Sequence, residues 1–141
     1  MKTIVLATAA ALLVTLAPPA RAADFKIVAN ASVPATALSK SELSDLFMKH
    51  TLRWSTGEMA QPAEPPEASP LREPFCREIH GKSAAVVRVY WSRLIFAGRS
   101  TPSVAKGSDD EGVAFVRSTP GAIGFVARAT AAAGVKEIAL R

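Results

Sequence analysis

Cysteine is almost absent from this sequence: Cys76 is the only one among 141 residues. A single thiol excludes an internal disulfide, so the stability of the fold has to come from packing. Cys76 lies beside Phe75 and Ile79 in a predicted helix, and this setting favours a core-filling thiol over a reactive one.

Sequence motifs of common enzymes are also absent. His50 and His80 have no partners at metal-ligand spacing, and the chain has no His-Glu-x-x-His, Gly-x-Ser-x-Gly or glycine-rich nucleotide motif. Nothing in the sequence fixes the separation of Glu64 and Glu67, so they do not define a catalytic carboxylate pair. We therefore expect a protein that is not an enzyme and that needs no cofactor or metal.

A strong charge of one sign is lacking as well. The formal net charge is +5, and the basic residues are scattered from Lys26 to Arg141 without runs or interleaved aromatic residues. This pattern argues against a nucleic-acid partner and favours anions only slightly.

The N-terminus has the pattern of a cleaved export signal over residues 1–22. Lys2 is followed by an apolar run over residues 4–17 and by Ala20-Arg21-Ala22, the small residues read by signal peptidase. The run is shorter than the roughly 20 residues that span a bilayer. We expect cleavage after Ala22 or the next residue, leaving one periplasmic domain over residues 23–141 with no membrane span; an uncleaved anchor is the alternative.

The remaining patterns alternate between strands and helices. We predict strands at 25–29 and, near the C-terminus, at 122–126 and 135–140, with a short strand around 59–63. Capping boxes at Ser39-Lys40-Ser41-Glu42 and Ser108-Asp109-Asp110-Glu111 open two helices, and Ser83 opens a longer one that ends near Gly98. These elements predict an α/β fold with a small mixed β-sheet flanked by helices.

The segment Ser69-Pro70-Leu71-Arg72 is the strongest candidate for a binding site. We predict that Ser69 caps a helix whose first turn carries Arg72, although Pro74 is an alternative first helical residue. Unpaired N–H groups and a guanidinium at a helix start form a candidate oxyanion pocket. Alternatively, Arg72 pairs with Glu67 or Glu73, or extends into solvent.

Several segments together resemble a known family. In order along the chain these are residues 38–47 with Trp54, then 69–75, then Tyr90-Trp91, and finally Pro120-Gly121-Ala122-Ile123-Gly124-Phe125-Val126. They resemble the phosphate-binding proteins of bacterial ABC transporters, in the type 2 periplasmic binding protein superfamily. The likeness is greatest to the short exported members, which keep about one lobe.

The resemblance implies a phosphate site with several ligands replaced. Ser69 matches the serine of the family's Ser-Gly-Thr cap, and Glu67 falls at its aspartate. Pro70 replaces the glycine and has no N–H, Leu71 replaces the threonine, and Pro65 stands at the arginine. Each missing charge-assisted hydrogen bond is worth about 1.5–3 kcal/mol, so the inherited site should bind phosphate weakly.

Two functions follow as expectations. The first is a solute-binding domain that recognises a small oxyanion such as phosphate, in an ABC transport system with an inner-membrane permease. Its predicted ligand groups are Ser69, the N–H of Leu71, Arg72, Asn30 and Ser32, brought together at the carboxyl ends of strands. The second is a sensor or interaction module that binds an envelope protein and has lost high-affinity anion binding.

Overall fold

The computed structural model describes residues 24–141, so the predicted signal peptide lies outside the described residues. Within this part of the chain the structure contains six strands, four α-helices and one π-helical segment. The strands are β1 (Phe25–Ala29), β2 (Ala37–Leu38), β3 (Gln61–Glu64), β4 (Val104–Ala105), β5 (Ala122–Ala127) and β6 (Lys136–Leu140). The helices are α1 (Lys40–Phe47), α2 (Arg72–Phe75), α3 (Ala84–Phe96) and α4 (Asp109–Ser118), and the π-helical segment is Cys76–His80.

The strands form one mixed sheet in the order β2-β6-β1-β5-β3-β4. β1 is antiparallel to both of its neighbours, with Ile27 opposite Phe125 on β5 and Ile138 on β6. β2 is parallel to β6, and β3 is parallel to both β4 and β5. Among the described strands, five therefore share one direction and β1 alone is reversed. The carboxyl end of β1 thus lies at the end of the sheet where the other five strands begin.

Helices cover both faces of the sheet. Successive side chains of β1 point to opposite faces and therefore pack against different helices. Phe25, Ile27 and Ala29 pack with residues of α1, α2 and the π-helical segment, whereas Val28 packs with Val113 of α4. α3 lies outside the first helical layer and joins it through a smaller cluster. The members of that cluster are Met48, Cys76, Val87 and Trp91. The predicted mixed sheet flanked by helices is confirmed.

Four phenylalanines form the centre of the main core. Phe75 stacks on Phe125 with ring centroids 3.7 Å apart and planes 4° apart. Phe25 and Phe47 contact the edges of Phe75 at 5.3 and 5.0 Å. Aromatic contacts of this kind add about 0.5–1.5 kcal/mol each beyond area burial. The stack fixes the short helix α2 against the sheet and thereby positions Arg72 at the start of that helix.

Local signals explain most helix boundaries. Ser39 and Glu42 form the predicted capping box of α1, and the hydroxyls of Ser83 and Ser108 cap α3 and α4. Gly81 has φ 66° and ends the π-helical segment. The apolar residues of α3 are only partly buried, and Ile95 is 50% exposed. No helix within residues 24–141 is long and apolar enough to cross a membrane.

Candidate functional site

The five predicted ligand residues lie at opposite ends of the sheet, measured along the strands. Asn30 and Ser32 follow β1, and the N–H of Asn30 donates to the carbonyl of Ala122, at the start of β5. Ser69 and Arg72 instead follow the carboxyl end of β3, which runs parallel to β5 and antiparallel to β1. The expectation that these two loops meet is therefore wrong, because β1 runs in the opposite direction to β3.

Asn30 and Ser32 stabilise the turn before β5. The Asn30 side-chain amide donates to two carbonyl oxygens at the end of α4, at 2.8 and 3.0 Å, and its oxygen accepts from the N–H of Ser32. The Ser32 hydroxyl donates to Glu58 and accepts from the N–H of Gly121. Asn30 is 9% exposed. The structure thus records internal partners for the polar groups of both side chains.

Ser69 is not the helix cap that the sequence predicts. The N-cap of α2 is Leu71, which has no side-chain oxygen, and the first helical residue is Arg72. The Ser69 hydroxyl accepts a 3.2 Å hydrogen bond from the N–H of Leu71. This N–H, one of the predicted anion donors, is therefore already paired within the turn, because Pro70 has no N–H and the hydroxyl reaches the next residue.

The Arg72 guanidinium donates to three acceptors, one at the end of β3 and two in the loop that follows this strand. Its Nη1 donates to Oε2 of Glu64 at 2.5 Å, its Nε to the carbonyl of Pro66 at 2.9 Å, and its Nη2 to the carbonyl of Pro65 at 2.7 Å. The side chains of Arg72 and Glu64 are 21% and 13% exposed. Burial raises the pKa of the Glu64 carboxyl, and the positive charge of Arg72 opposes this rise.

Arg72 forms an ion pair, as the alternative interpretation expects, but the pair is with Glu64 and not with Glu67 or Glu73. Glu67 pairs with Arg88 on α3 at 2.6 Å, and Glu73 pairs with Arg77 and accepts from the N–H of Ala84. Glu64, the last residue of β3, takes the place predicted for them. Whether any of the five predicted residues contacts a ligand stays a prediction.

A cavity of about 260 Å³ opens beside this ion pair, and we call it the β3 cavity. It lies between the loop after β3, the π-helical segment, α3 and β4. Glu64 and Ala105, the last residues of the parallel strands β3 and β4, contribute to its wall. The β3 cavity therefore lies at the carboxyl ends of strands, where open α/β sheets bind their ligands.

The wall of the β3 cavity combines an apolar side with two ion pairs. The apolar side is formed by Cys76, Ala84, Val87, Trp91, Ile95, Pro102 and Ala105. The opposite charges cancel within each pair, that is, between Glu64 and Arg72 and between Glu67 and Arg88. The two pairs differ in accessibility, because the side chains of Arg88 and Glu67 are 59% and 69% exposed. Arg88 is thus the more accessible of the two cavity cations.

A second cavity, of about 360 Å³, lies beside the edge strand β2 and is a less specific candidate. Its wall includes Arg141, which pairs with Glu42 at 2.9 Å, and Arg53, which donates to the carbonyl of Gly57. The described residues contain no cluster of three side chains that could hold a metal ion.

Comparison with known proteins gives structural matches alone. No protein-family model matches the sequence, and no curated protein matches it. A protein assigned as a phosphate ABC transporter substrate-binding protein, from Clostridium perfringens with bound phosphate, superposes with a TM-score of 0.65 at 14% identity, over 83% of this chain and 44% of that chain. An ABC-type phosphate transport receptor from Vibrio cholerae gives 0.61 at 16% identity, over 83% and 46%. PstS from Borrelia burgdorferi gives 0.62 at 9% identity, over 84% and 47%.

These matches establish the fold. The chain has the architecture of about half of an ABC-type phosphate-binding protein, and it spans 44–47% of the length of the three structures named. The predicted resemblance to a single lobe of such proteins is confirmed at the level of fold. With identities of 9–16%, the matches show the fold alone.

Proposed function

We propose that this chain is an exported, non-enzymatic solute-binding domain that holds a small anion, an oxyanion such as phosphate or a small carboxylate, in the β3 cavity. The observation that carries this proposal is the position of the cavity at the carboxyl ends of two parallel strands, with guanidinium groups in its wall. The phosphate bound to the structural neighbour from Clostridium perfringens supports an anionic ligand.

Arg88 is the group best placed to hold the anion. Its pair with Glu67 is exposed, and exposed ion pairs contribute only about 0–1 kcal/mol. An incoming anion can therefore displace Glu67 at little cost. Arg72, whose three nitrogens all have partners within the loop, is much harder to recruit.

The expected affinity is low. A charge-assisted hydrogen bond contributes about 1.5–3 kcal/mol, so one or two such bonds from Arg88 give a Kd near the millimolar range. A ligand with an apolar portion gains further from contact with Val87 and Trp91, which line the β3 cavity from the same helix as Arg88. We therefore expect a small aromatic carboxylate to bind more tightly than inorganic phosphate.

Calorimetric titration tests this proposal. Phosphate, sulfate, acetate and benzoate are titrated into the purified protein and into Arg88→Ala, which should lose binding. Arg93→Ala is the matched control, because Arg93 lies on the same helix but does not line the β3 cavity. Absence of binding of all four anions to the wild-type protein, or equal binding to Arg88→Ala, would overturn the proposal.

A second function, association with an envelope protein, is favoured by the surface of α3. Phe96 is 92% exposed, and Val86, Val89 and Ile95 on the same helix are each about half exposed. Exposed apolar groups on one helix are typical of an interaction site. A photo-crosslinker at position 96, compared with one at position 93, tests this association in cell envelopes. Capture of an ABC permease supports transport, and capture of another envelope protein supports the interaction module. Equal labelling from both positions contradicts a specific site.

A further inference from the structure

The buried carboxylate of Glu64 stands where an anionic ligand of Arg72 would stand. Its Oε2 lies 2.5 Å from Nη1 of Arg72, and both residues line the β3 cavity. A carboxylate and an inorganic oxyanion present the same kind of surface to a guanidinium, namely acceptor oxygens with negative charge. Glu64 therefore supplies from within the chain what a free anion would supply from solution.

The loop after β3 completes this internal binding site. The carbonyls of Pro65 and Pro66 accept from Nη2 and Nε of Arg72. A proline provides a carbonyl oxygen but no N–H, so these two residues present acceptors to the guanidinium without backbone donors that would favour a bound anion. The guanidinium is thus held on three sides, and the side facing Glu64 is the one occupied by an anion.

We propose that Glu64 is a built-in anion that occupies Arg72 and so excludes free oxyanions from the inner end of the β3 cavity. Tethering favours Glu64 strongly, because a group held at the end of the adjoining strand acts at a high effective concentration. Glu64 is then a specificity-determining residue, since its carboxylate leaves Arg88 as the accessible cation. This specificity role rests on the proposed function, whereas the occupation of Arg72 is tested separately, in variants that lack both Glu64 and the Arg88 side chain.

Removal of the Glu64 carboxylate should create an anion site. Glu64→Ala leaves the guanidinium buried without a counter-charge, so its melting temperature should fall and then rise again with added formate, phosphate or sulfate. All proteins in this test carry Arg88→Ala, so that the anion site proposed above does not contribute. A hundredfold excess of the anion over its Kd should restore on the order of 10 °C, which the Arg88→Ala protein with Glu64 intact should not show. Calorimetry on Glu64→Ala in this background should give one bound anion per chain.

Two further variants separate this inference from a purely structural ion pair. Glu67→Ala in the Arg88→Ala background is the matched control, because it removes the other carboxylate of the cavity wall and leaves the pair of Glu64 with Arg72 intact; general stabilisation by salt should affect it and Arg88→Ala alone equally. The double variant Glu64→Ala/Arg72→Ala removes both charges and should lose the anion effect.

In the Arg88→Ala background, equal anion shifts with Glu64→Ala, with Glu67→Ala and with neither would overturn the inference, as would binding that persists when Glu64 and Arg72 are both replaced. If Glu64→Ala does not fold, Glu64→Ser removes the charge, leaves space for an anion and keeps a polar group near the guanidinium, and the same anion dependence is expected. Its absence there would likewise overturn the inference.

Discussion

His80 should make the stability of this domain depend on pH in the mildly acidic range. The ring packs edge-on against Phe75, and its Nδ1 lies 2.7 Å from the Ser44 hydroxyl. Burial, together with the smaller effect of the charges of Lys82 and His50, lowers the pKa of His80 to about 4. In the unfolded chain a histidine titrates near pH 6.5. Between these values the unfolded chain therefore binds a proton that the folded protein does not.

The sign and size of the effect follow from this difference. Because the unfolded state binds more protons, the free energy of unfolding falls as the pH drops from about 6.5 to about 4. The full shift of the pKa corresponds to about 3 kcal/mol. Solvent around the half-buried ring screens part of this, so we expect a loss of about 1–2 kcal/mol.

Urea unfolding from pH 7 to pH 4 measures the loss. His80→Gln keeps a hydrogen-bonding side chain without the titration, so its stability should fall less than that of the wild type over this range. His50→Gln changes the other histidine, whose side chain is 56% exposed, but leaves the buried ring of His80 in place and should retain most of the loss. Parallel curves for wild type and His80→Gln would refute the reasoning, because carboxylates that titrate in this range contribute equally to both proteins.

Three further outcomes are expected. Gly121→Ala should lower the free energy of unfolding in urea by more than about 3 kcal/mol, because φ is +76° and a Cβ would lie 2.1 Å from the Met59 carbonyl oxygen. Gly57→Ala is the control, because φ is +89° but no atom lies within 4 Å of the added Cβ, and it should lower this free energy by only about 1–2 kcal/mol. Equal costs would contradict this steric account. Burial raises the pKa of Cys76 to about 11, so its reaction with an aromatic disulfide reagent at pH 8 should be about a hundredfold slower than in urea, and equal rates would show an accessible thiol. Asn30→Ala should cost about 2 kcal/mol in thermal unfolding by leaving buried carbonyls without donors, and an unchanged melting temperature would contradict that role.

Local signals in the sequence were enough to predict much of the fold. Ser39 with Glu42, Ser83 and Ser108 lie next to the helices that they cap, so the information is within four residues. The first strand was predicted with its observed limits, and the strand near residue 60 was placed about two residues early.

The short strand β3 is hard to predict because it contains Pro62. The N–H of Gln61 donates to the carbonyl of Gly121, before β5. By alternation, position 62 faces the β4 side of the strand, where pairing begins only at Ala63. The missing N–H of proline therefore removes no bond from the ladder with β5, and the sheet tolerates it at this place.

The candidate site was predicted less well because it depends on contacts between distant segments. The residues around Arg72 are enough to predict a candidate site in this segment. Its partner Glu64 can be identified only when the position at which β3 ends is known. The expected meeting of the Asn30 loop with this segment required the direction of β1, which local periodicity does not contain. Arg88 and Trp91 enter the cavity wall through the packing of α3 against the π-helical segment.

The reversed first strand has a consequence for the order of folding. β1 pairs with β5 and β6, whose residues lie roughly a hundred positions later in the chain. Pairs so far apart in sequence close slowly, and none of them forms until ribosomal synthesis has passed β5. A nascent chain of this topology therefore stays without its central strand pairs for longer than one built from neighbouring hairpins.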